Sequence, residues 1–183
     1  MESDPQLVAR IGQGDRSALA QLYRELEKPV FRFIRSRLND PFESADLLHD
    51  VFIEVWRSAS RFEGRSKVKT WIFGIAYRKV VDLHRKRGRM TVSDNIPESV
   101  DESPGAEACL AAGQEAVHVR YCMGKLKDDH RSAIAMAFYD DMTYSEIAEV
   151  AEVPEGTIKT RIFHAKKLLL HCLSDRVLRG ASV

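Results

Sequence analysis

An all-α protein of two small helical domains, joined by a flexible acidic linker, is what this sequence predicts, and three observations carry that reading. Apolar residues recur at helical spacing along both halves of the chain. A segment between them is acidic and rich in turn-forming residues. The stretch from Thr143 to Leu173 has the layout of a helix-turn-helix followed by a long basic second helix. The domains fall at 1–92 and 116–183, with the linker at 93–115.

The first helix is expected to be capped by Ser3 or Asp4, with Pro5 at its start and Leu7, Val8 and Ile11 as its apolar side, before Gly12 and Gly14 interrupt it. Asp15 then caps again. Leu19, Leu22, Tyr23 and Leu26 form one stripe, and after Pro29 the set Val30, Phe31, Ile34 and Leu38 forms another, ended by Asn39, Asp40 and Pro41. From Glu43 to Trp56 there are two faces. Leu47, Leu48, Val51, Phe52, Val55 and Trp56 make the apolar one, and Glu43, Asp46, Asp50 and Glu54 make an unbroken acidic stripe. Like charges four apart repel, by a few tenths of a kcal/mol per pair (~0.2–0.5), so the stripe is either a solvated face or a face for a basic partner.

Phe62 to Arg89 reads as a basic, Gly-containing loop and then a helix starting near Thr70, with Trp71, Ile72, Ile75, Ala76, Val80 and Leu83 as its apolar positions. Trp71, Phe73 and Tyr77 lie among Arg65, Lys67, Lys69, Arg78 and Lys79, the combination in which aromatic faces stack bases and cations track a single strand. For Trp71 the alternative is packing in the core. Arg85 to Arg89 reads as a phosphate-contacting helix end. Thr91 to Val117 holds acids but no Lys or Arg, so it cannot itself lie along DNA. Helix signals resume at Val117, Tyr121 and Leu126, then at Ala133, Ile134, Ala137 and Phe138.

In the helix-turn-helix, Thr143 and Glu146 form a reciprocal capping pattern, and Ile147, Ala148, Val150 and Ala151 supply the apolar side. The second helix opens near Pro154, with Ile158, Ile162, Ala165, Leu168 and Leu169 recurring at helical spacing. Its opposite face carries Thr157, Lys159, Thr160, Arg161, His164, Lys166 and Lys167, cations and small hydroxyl donors suited to phosphates and base edges. A lone basic helix of this kind is usually a solvated face; the short preceding helix and tight turn favour DNA.

Composition sets the outer limits. The chain of 183 residues is 44% hydrophobic, and 28 Lys and Arg against 27 Asp and Glu give a net charge of +1, so only the distribution of charge points to a polyanion. Cys109, Cys122 and Cys172 are scattered singly, and neither a disulfide framework nor a regular zinc motif is expected. His118 and Cys122, four apart, could share a helical face as metal ligands, but incidental placement is the simpler account. No apolar run approaches the ~18 residues of a membrane span, and a reducing cytoplasm fits. No catalytic constellation, metal or cofactor is predicted.

Together the parts resemble a bacterial sigma factor of the extracytoplasmic-function (ECF) class, the short type that keeps only regions two and four. The likeness covers nearly the whole chain and rests on ADLLHDVFIEVW, FEGRSKVKTWIFGIAYRKVVDLHRK and TYSEIAEVAEVPEGTIKTRIFHAKKLL in that order. It implies that 1–92 is region two and 116–183 region four. Asp46, His49, Asp50 and Glu54 would then dock on the clamp coiled-coil of the polymerase beta-prime subunit, His49 and Asp50 standing where the family usually has Gln and Glu. Arg65, Lys67, Lys69, Trp71, Arg78, Asp82 and Arg85 would take up the melted minus-ten element, with Asp82 either reading a base donor or pairing with Arg78 or Arg85. Thr157, Lys159, Thr160, Arg161, Phe163, His164 and Lys167 would face the duplex minus-thirty-five element. The linker would thread toward the RNA exit channel. The implied partners are core RNA polymerase through its beta-prime and beta subunits, promoter DNA both duplex and melted, and an anti-sigma factor that holds a stress-responsive, otherwise monomeric chain. Two other classes remain open: a stand-alone DNA-binding regulator, which explains half the motifs, and an enzyme on nucleic acid, for which no constellation speaks.

Overall fold

The computed structural model describes residues 5–38, 40–90 and 110–180, and among them every regular element is helical. Helices α1 (Pro5–Gly12), α2 (Arg16–Arg35), α3 (Pro41–Ser58) and α4 (Val68–Met90), with a 3-10 turn at Ala59–Arg61, build the first domain. The second consists of α5 (Leu110–Gly124), α6 (Asp128–Phe138), α7 (Tyr144–Ala151) and α8 (Glu155–Gly180). Helix α5 therefore reaches into the range read as linker. The Ser3 and Asp4 caps, Asn39, Cys109 and the linker before Leu110 lie outside the described residues.

Local chemistry starts these helices where the sequence places them. Asp15 Oδ1 accepts from the Ser17 and Ala18 amides at 2.8 and 3.1 Å, and hydrogen bonds from the Ser17 hydroxyl and the Arg10 guanidinium hold its carboxyl far below the usual range. Asp40, read from the sequence only as ending the stripe before it, caps α3, accepting from Phe42 and Glu43 at 2.7 and 3.1 Å, with Pro41 at the first helical position. Gly12 ends α1 where an added Cβ would meet the Ser60 backbone at 3.0 Å, so the close approach of α1 to the 3-10 turn admits no side chain.

Pro29 does not divide α2. The helix runs through it, at the loss of one backbone hydrogen bond, because Leu26 and Val30 on either side are both buried. Unbroken register then selects Phe33 for the core and leaves Phe31 only partly buried, where the sequence reading had chosen Phe31. Phe33 meets Phe73 of α4 with ring centroids 5.3 Å apart. Phe73 is fully buried, so it is packing and not a stacking platform for bases.

In the second domain Leu126, Ala133, Ile134, Ile147, Ile158 and Ile162 pack together. Val117, Tyr121, Phe138 and Leu168, read as core positions, are exposed instead. Tyr121 lies under the Arg176 guanidinium at 4.2 Å, and Phe138 under Lys166 at 5.0 Å. The largest departure is covalent: Cys122 on α5 and Cys172 on α8 form a disulfide, their Cα atoms 5.8 Å apart across a sequence separation of 50. Single cysteines on two helices gave no paired spacing to read; only the packing of α5 on α8 brings them together. Among the described residues no helix is long and apolar enough to cross a membrane, and no group of three His, Cys, Asp or Glu is placed to hold a metal ion.

The domains touch. Helix α7 lies against α4, α2 reaches α6, and the buried side chains of both halves form one continuous cluster.

Candidate polymerase and nucleic-acid surfaces

Helix α3 presents Asp46, His49 and Asp50 to solvent, with Glu54 half-buried beside them. His49 Nδ1 is 3.1 Å from the Ala45 carbonyl, which fixes the ring on the helix. Among the described residues Asp46, Asp50 and Glu54 make no ion pair, and no described cation offsets their mutual repulsion. Next to the stripe runs a groove of about 470 Å³ lined by Leu19, Tyr23, Phe52, Ile53 and Trp56. Acid and apolar surface side by side suit a partner that brings both cations and a hydrophobic ridge.

The basic loop and α4 face the other domain. Trp71 is half-buried, its ring 4.8 Å from Phe62, so it is anchored by packing with one side still reachable. Tyr77 lies under the Arg37 guanidinium at 5.0 Å. Arg65 pairs with Glu63 in the exposed loop. Asp82 stands 3.9 Å from Arg85, the ion-pairing alternative for this residue. The remaining cations read as strand contacts reach across: Lys67 to Glu146 at 3.3 Å, Arg78 to Glu152 at 3.0 Å, and Lys69 to the backbone carbonyl of Asp140.

Asp140 was not singled out by the sequence. It is 4% exposed, with Arg32 at 3.5 Å and Lys69 near, yet burial outweighs both cations and, with Asp141 adding to it, pushes its carboxyl up to about 6. The packed protein thus binds a proton more readily than the unfolded chain. Its stabilising effect is complete below the ordinary carboxylate range and is lost as pH rises through about 6. Thermal melts at pH 5 and pH 7 should therefore differ by roughly 1 kcal/mol more in the wild type than in Asp140→Asn; equal pH dependence in the two would refute the assignment. For Glu146 burial also raises the carboxyl, but the Thr143 amide and hydroxyl together with Lys67 hold it below its usual value.

The helix-turn-helix is built as the sequence implies. Glu146 N donates to Thr143 Oγ1 at 3.3 Å and Thr143 N to Glu146 Oε2 at 2.8 Å, closing a capping box. Glu152 turns the chain in the left-handed region, φ 54°, and its amide returns to the end of α7. Ile158, Ile162 and Ala165 bury one face of α8. On the other face Lys159, Thr160, Phe163, His164 and Lys167 are exposed, Phe163 to 65%, with Thr157 half-buried. Lys159 pairs with Glu155 at 2.8 Å, which holds its ammonium above the usual value, and the Thr160 hydroxyl donates to the Gly156 carbonyl at 2.9 Å. Arg161 is different: it is held 2.7 Å from Asp129 of α6, bracing α8 against that helix. His164 has His130 of α6 beside it, centroids 6.4 Å apart.

A helical module bearing a cation-rich helix, coupled to a helix-turn-helix, is the architecture of a DNA-binding protein. Residues 22–90 match the family described as Sigma-70 region 2, and residues 118–169 the one described as Sigma-70, region 4. The ECF RNA polymerase sigma factor SigK of Mycobacterium tuberculosis is 30% identical over 171 residues, 91% of this chain and 91% of that protein. RNA polymerase sigma-H factor of Pseudomonas aeruginosa is 28% identical over 180 residues, 92% of each. Among solved structures, RpoE of Bartonella quintana in complex with the anti-sigma factor NepR matches with a TM-score of 0.71 at 25% identity, covering 84% of this chain and 97% of that one. CnrH in complex with the cytosolic domain of CnrY shares the fold over 100% of both chains, at a TM-score of 0.69 and 22% identity. The chain belongs to the ECF RNA polymerase sigma factors.

Proposed function

We propose that this chain directs core RNA polymerase to particular promoters and promotes DNA opening there, acting in the cytoplasm without covalent chemistry of its own. The observation that supports this best is the coexistence of an acidic stripe on α3, in which Glu43 pairs with Arg87 while Asp46, Asp50 and Glu54 pair with no described residue, an apolar groove beside it, a cation-rich face on α4 and an exposed reading face on α8. Asp46, His49, Asp50 and Glu54 engage the polymerase. Lys159, Thr160, Phe163, His164, Thr157 and Lys167 meet the duplex minus-thirty-five element, and Arg161 contributes chiefly by setting the angle of α8.

Arg65, Lys67, Lys69, Trp71, Arg78, Asp82 and Arg85 serve the minus-ten element. An unpaired base captured there offsets part of the cost of opening the duplex, so binding shifts the population toward the melted state. An anti-sigma factor holds the chain until a stress signal releases it, as the partner of the Bartonella RpoE suggests. Transcription in vitro with core polymerase and genomic fragments tests the whole reading: absence of transcripts from every template defeats it. Arg78→Ala is expected to bind polymerase normally and to lose permanganate reactivity of promoter thymines; undiminished melting would count against α4.

A further inference from the structure

We propose that His130, on α6, belongs to the duplex-reading surface: standing beside His164 of α8, it contacts a backbone phosphate through Nε2 and carries its positive charge only while that phosphate is bound. This rests on the reading of α8 as the element that meets the minus-thirty-five duplex. The two imidazole rings have centroids 6.4 Å apart and planes 27° from parallel, and Phe163 meets His164 edge-on at 5.6 Å. Phe163 and His164 are exposed and His130 is half-buried, so the row of rings runs from α8 across to the start of α6. With the second helix of a helix-turn-helix in the major groove, the elements flanking it come down on the sugar-phosphate backbone.

The two ring nitrogens of His130 are not equivalent. Nδ1 is buried and has no hydrogen-bond partner among the described residues, so Nε2 is the atom left for a ligand. Charging the ring puts an N–H on both nitrogens, the buried one without an acceptor. Burial accordingly weakens its hold on a proton, and His164, Lys127 and Arg161 weaken it further. Asp129 opposes them, but Arg161 already holds it at 2.7 Å, and the neighbouring Asp128 is taken by Arg131. Of the other helices packed on α6, α2 brings another cation, Arg37, to Ser132, while Glu146 of α7 and Glu152 at its end are turned to Lys67 and Arg78. The free chain therefore keeps His130 neutral near pH 7.

A duplex reverses that balance. It carries about one negative charge per 1.7 Å of axis, which offsets the surrounding cations, and a charge-assisted N–H to a phosphate oxygen is roughly twice as strong as a neutral one. One proton then passes from solvent to His130 on binding. The affinity so gained is present at low pH and is lost as pH rises through the range in which the bound ring gives up its proton.

The test uses holoenzyme assembled from core polymerase and the full chain. Its probe is a cyanine-labelled duplex cut from a promoter that the wild type transcribes, ending upstream of the minus-ten element so that no strand opening contributes. Fluorescence anisotropy at constant ionic strength should give the wild type a Kd about tenfold lower at pH 6 than at pH 8, within the limit of about tenfold per pH unit for one proton. His130→Phe keeps a ring against His164 but takes no proton, and its loss of affinity should be at least about fivefold greater at pH 6 than at pH 8. His130→Lys, charged at both, should bind at pH 8 about as tightly as the wild type does at pH 6. A merely structural stack predicts equal losses at the two pH values; that outcome overturns the proposal, as does a wild-type Kd indifferent to pH. Should neither variant fold, calorimetry of the wild type at pH 7 in PIPES and in Tris still decides, because equal binding heats mean that no proton is taken up. A holoenzyme that transcribes no template defeats the functional reading and the proposal with it, whereas promoter binding that ignores pH sinks the proposal alone.

Discussion

Phe73→Ala is expected to lower the unfolding free energy of the first domain by about 3–5 kcal/mol, the largest effect of any single side chain considered. Phe73 is fully buried in α4, faces Phe33 of α2 at 5.3 Å, and its ring lies 5.7 Å from the Lys69 ammonium. Truncation leaves a cavity between two long helices that are each pinned by other buried residues, so the site cannot collapse to refill it. Against a typical stability of about 5–15 kcal/mol this is a large fraction. Phe31→Ala on the same α2 should cost less than half as much, since Phe31 is only partly buried. Thermal or urea unfolding of the two variants decides the matter: equal losses would mean that α2 does not keep its register through Pro29.

Reduction of the Cys122–Cys172 disulfide is expected to destabilise the second domain by as much as about 4 kcal/mol, the chain-entropy value for a loop closed over a separation of 50 residues. The expectation is sharpened by how little else holds α5. Over its described side chains Cys122, 1% exposed, is the one fully buried residue, and Val117 and Tyr121 face outward. Without the bond, α5 keeps the Tyr121–Arg176 contact and the Arg176 hydrogen bond to His118 at 3.0 Å, both at or near the surface. A thermal midpoint lowered by about 10 °C or more in reductant, with α5 amides losing hydrogen-exchange protection before those of α8, is the predicted result. Identical melts with and without reductant would show that apolar packing alone secures α5.

Much of the first-order architecture was legible because its signals are local. Asp15 and the Thr143–Glu146 pair act within three residues of themselves, and the apolar faces of α3 and α8 repeat every three or four residues. The acidic stripe on α3 and the exposed reading face of α8 could be placed for the same reason: a helix carries its faces with it. Where Pro29 was taken as a break between two stripes, the second stripe took Phe31 in place of Phe33, two positions on. Phe73 was misassigned because an aromatic residue among cations looks the same whether it turns toward solvent or toward another helix. Arg161 looked like its neighbours Lys159 and Thr160 until Asp129 of α6 was found beside it.

By itself, then, the sequence determined where helices begin, which side of each is apolar, and that one of them follows a tight turn as a reading head, since all of these depend on contacts a few residues apart. Only the tertiary structure decided which apolar side covers which. It joined Cys122 to Cys172, buried Asp140 against Arg32, and brought Arg78 to Glu152 and Lys69 to Asp140 over separations of 74 and 71 residues. A periodic stripe states that a face needs a partner and carries no address for it; the address lies in shape and charge complementarity between surfaces that only folding brings together.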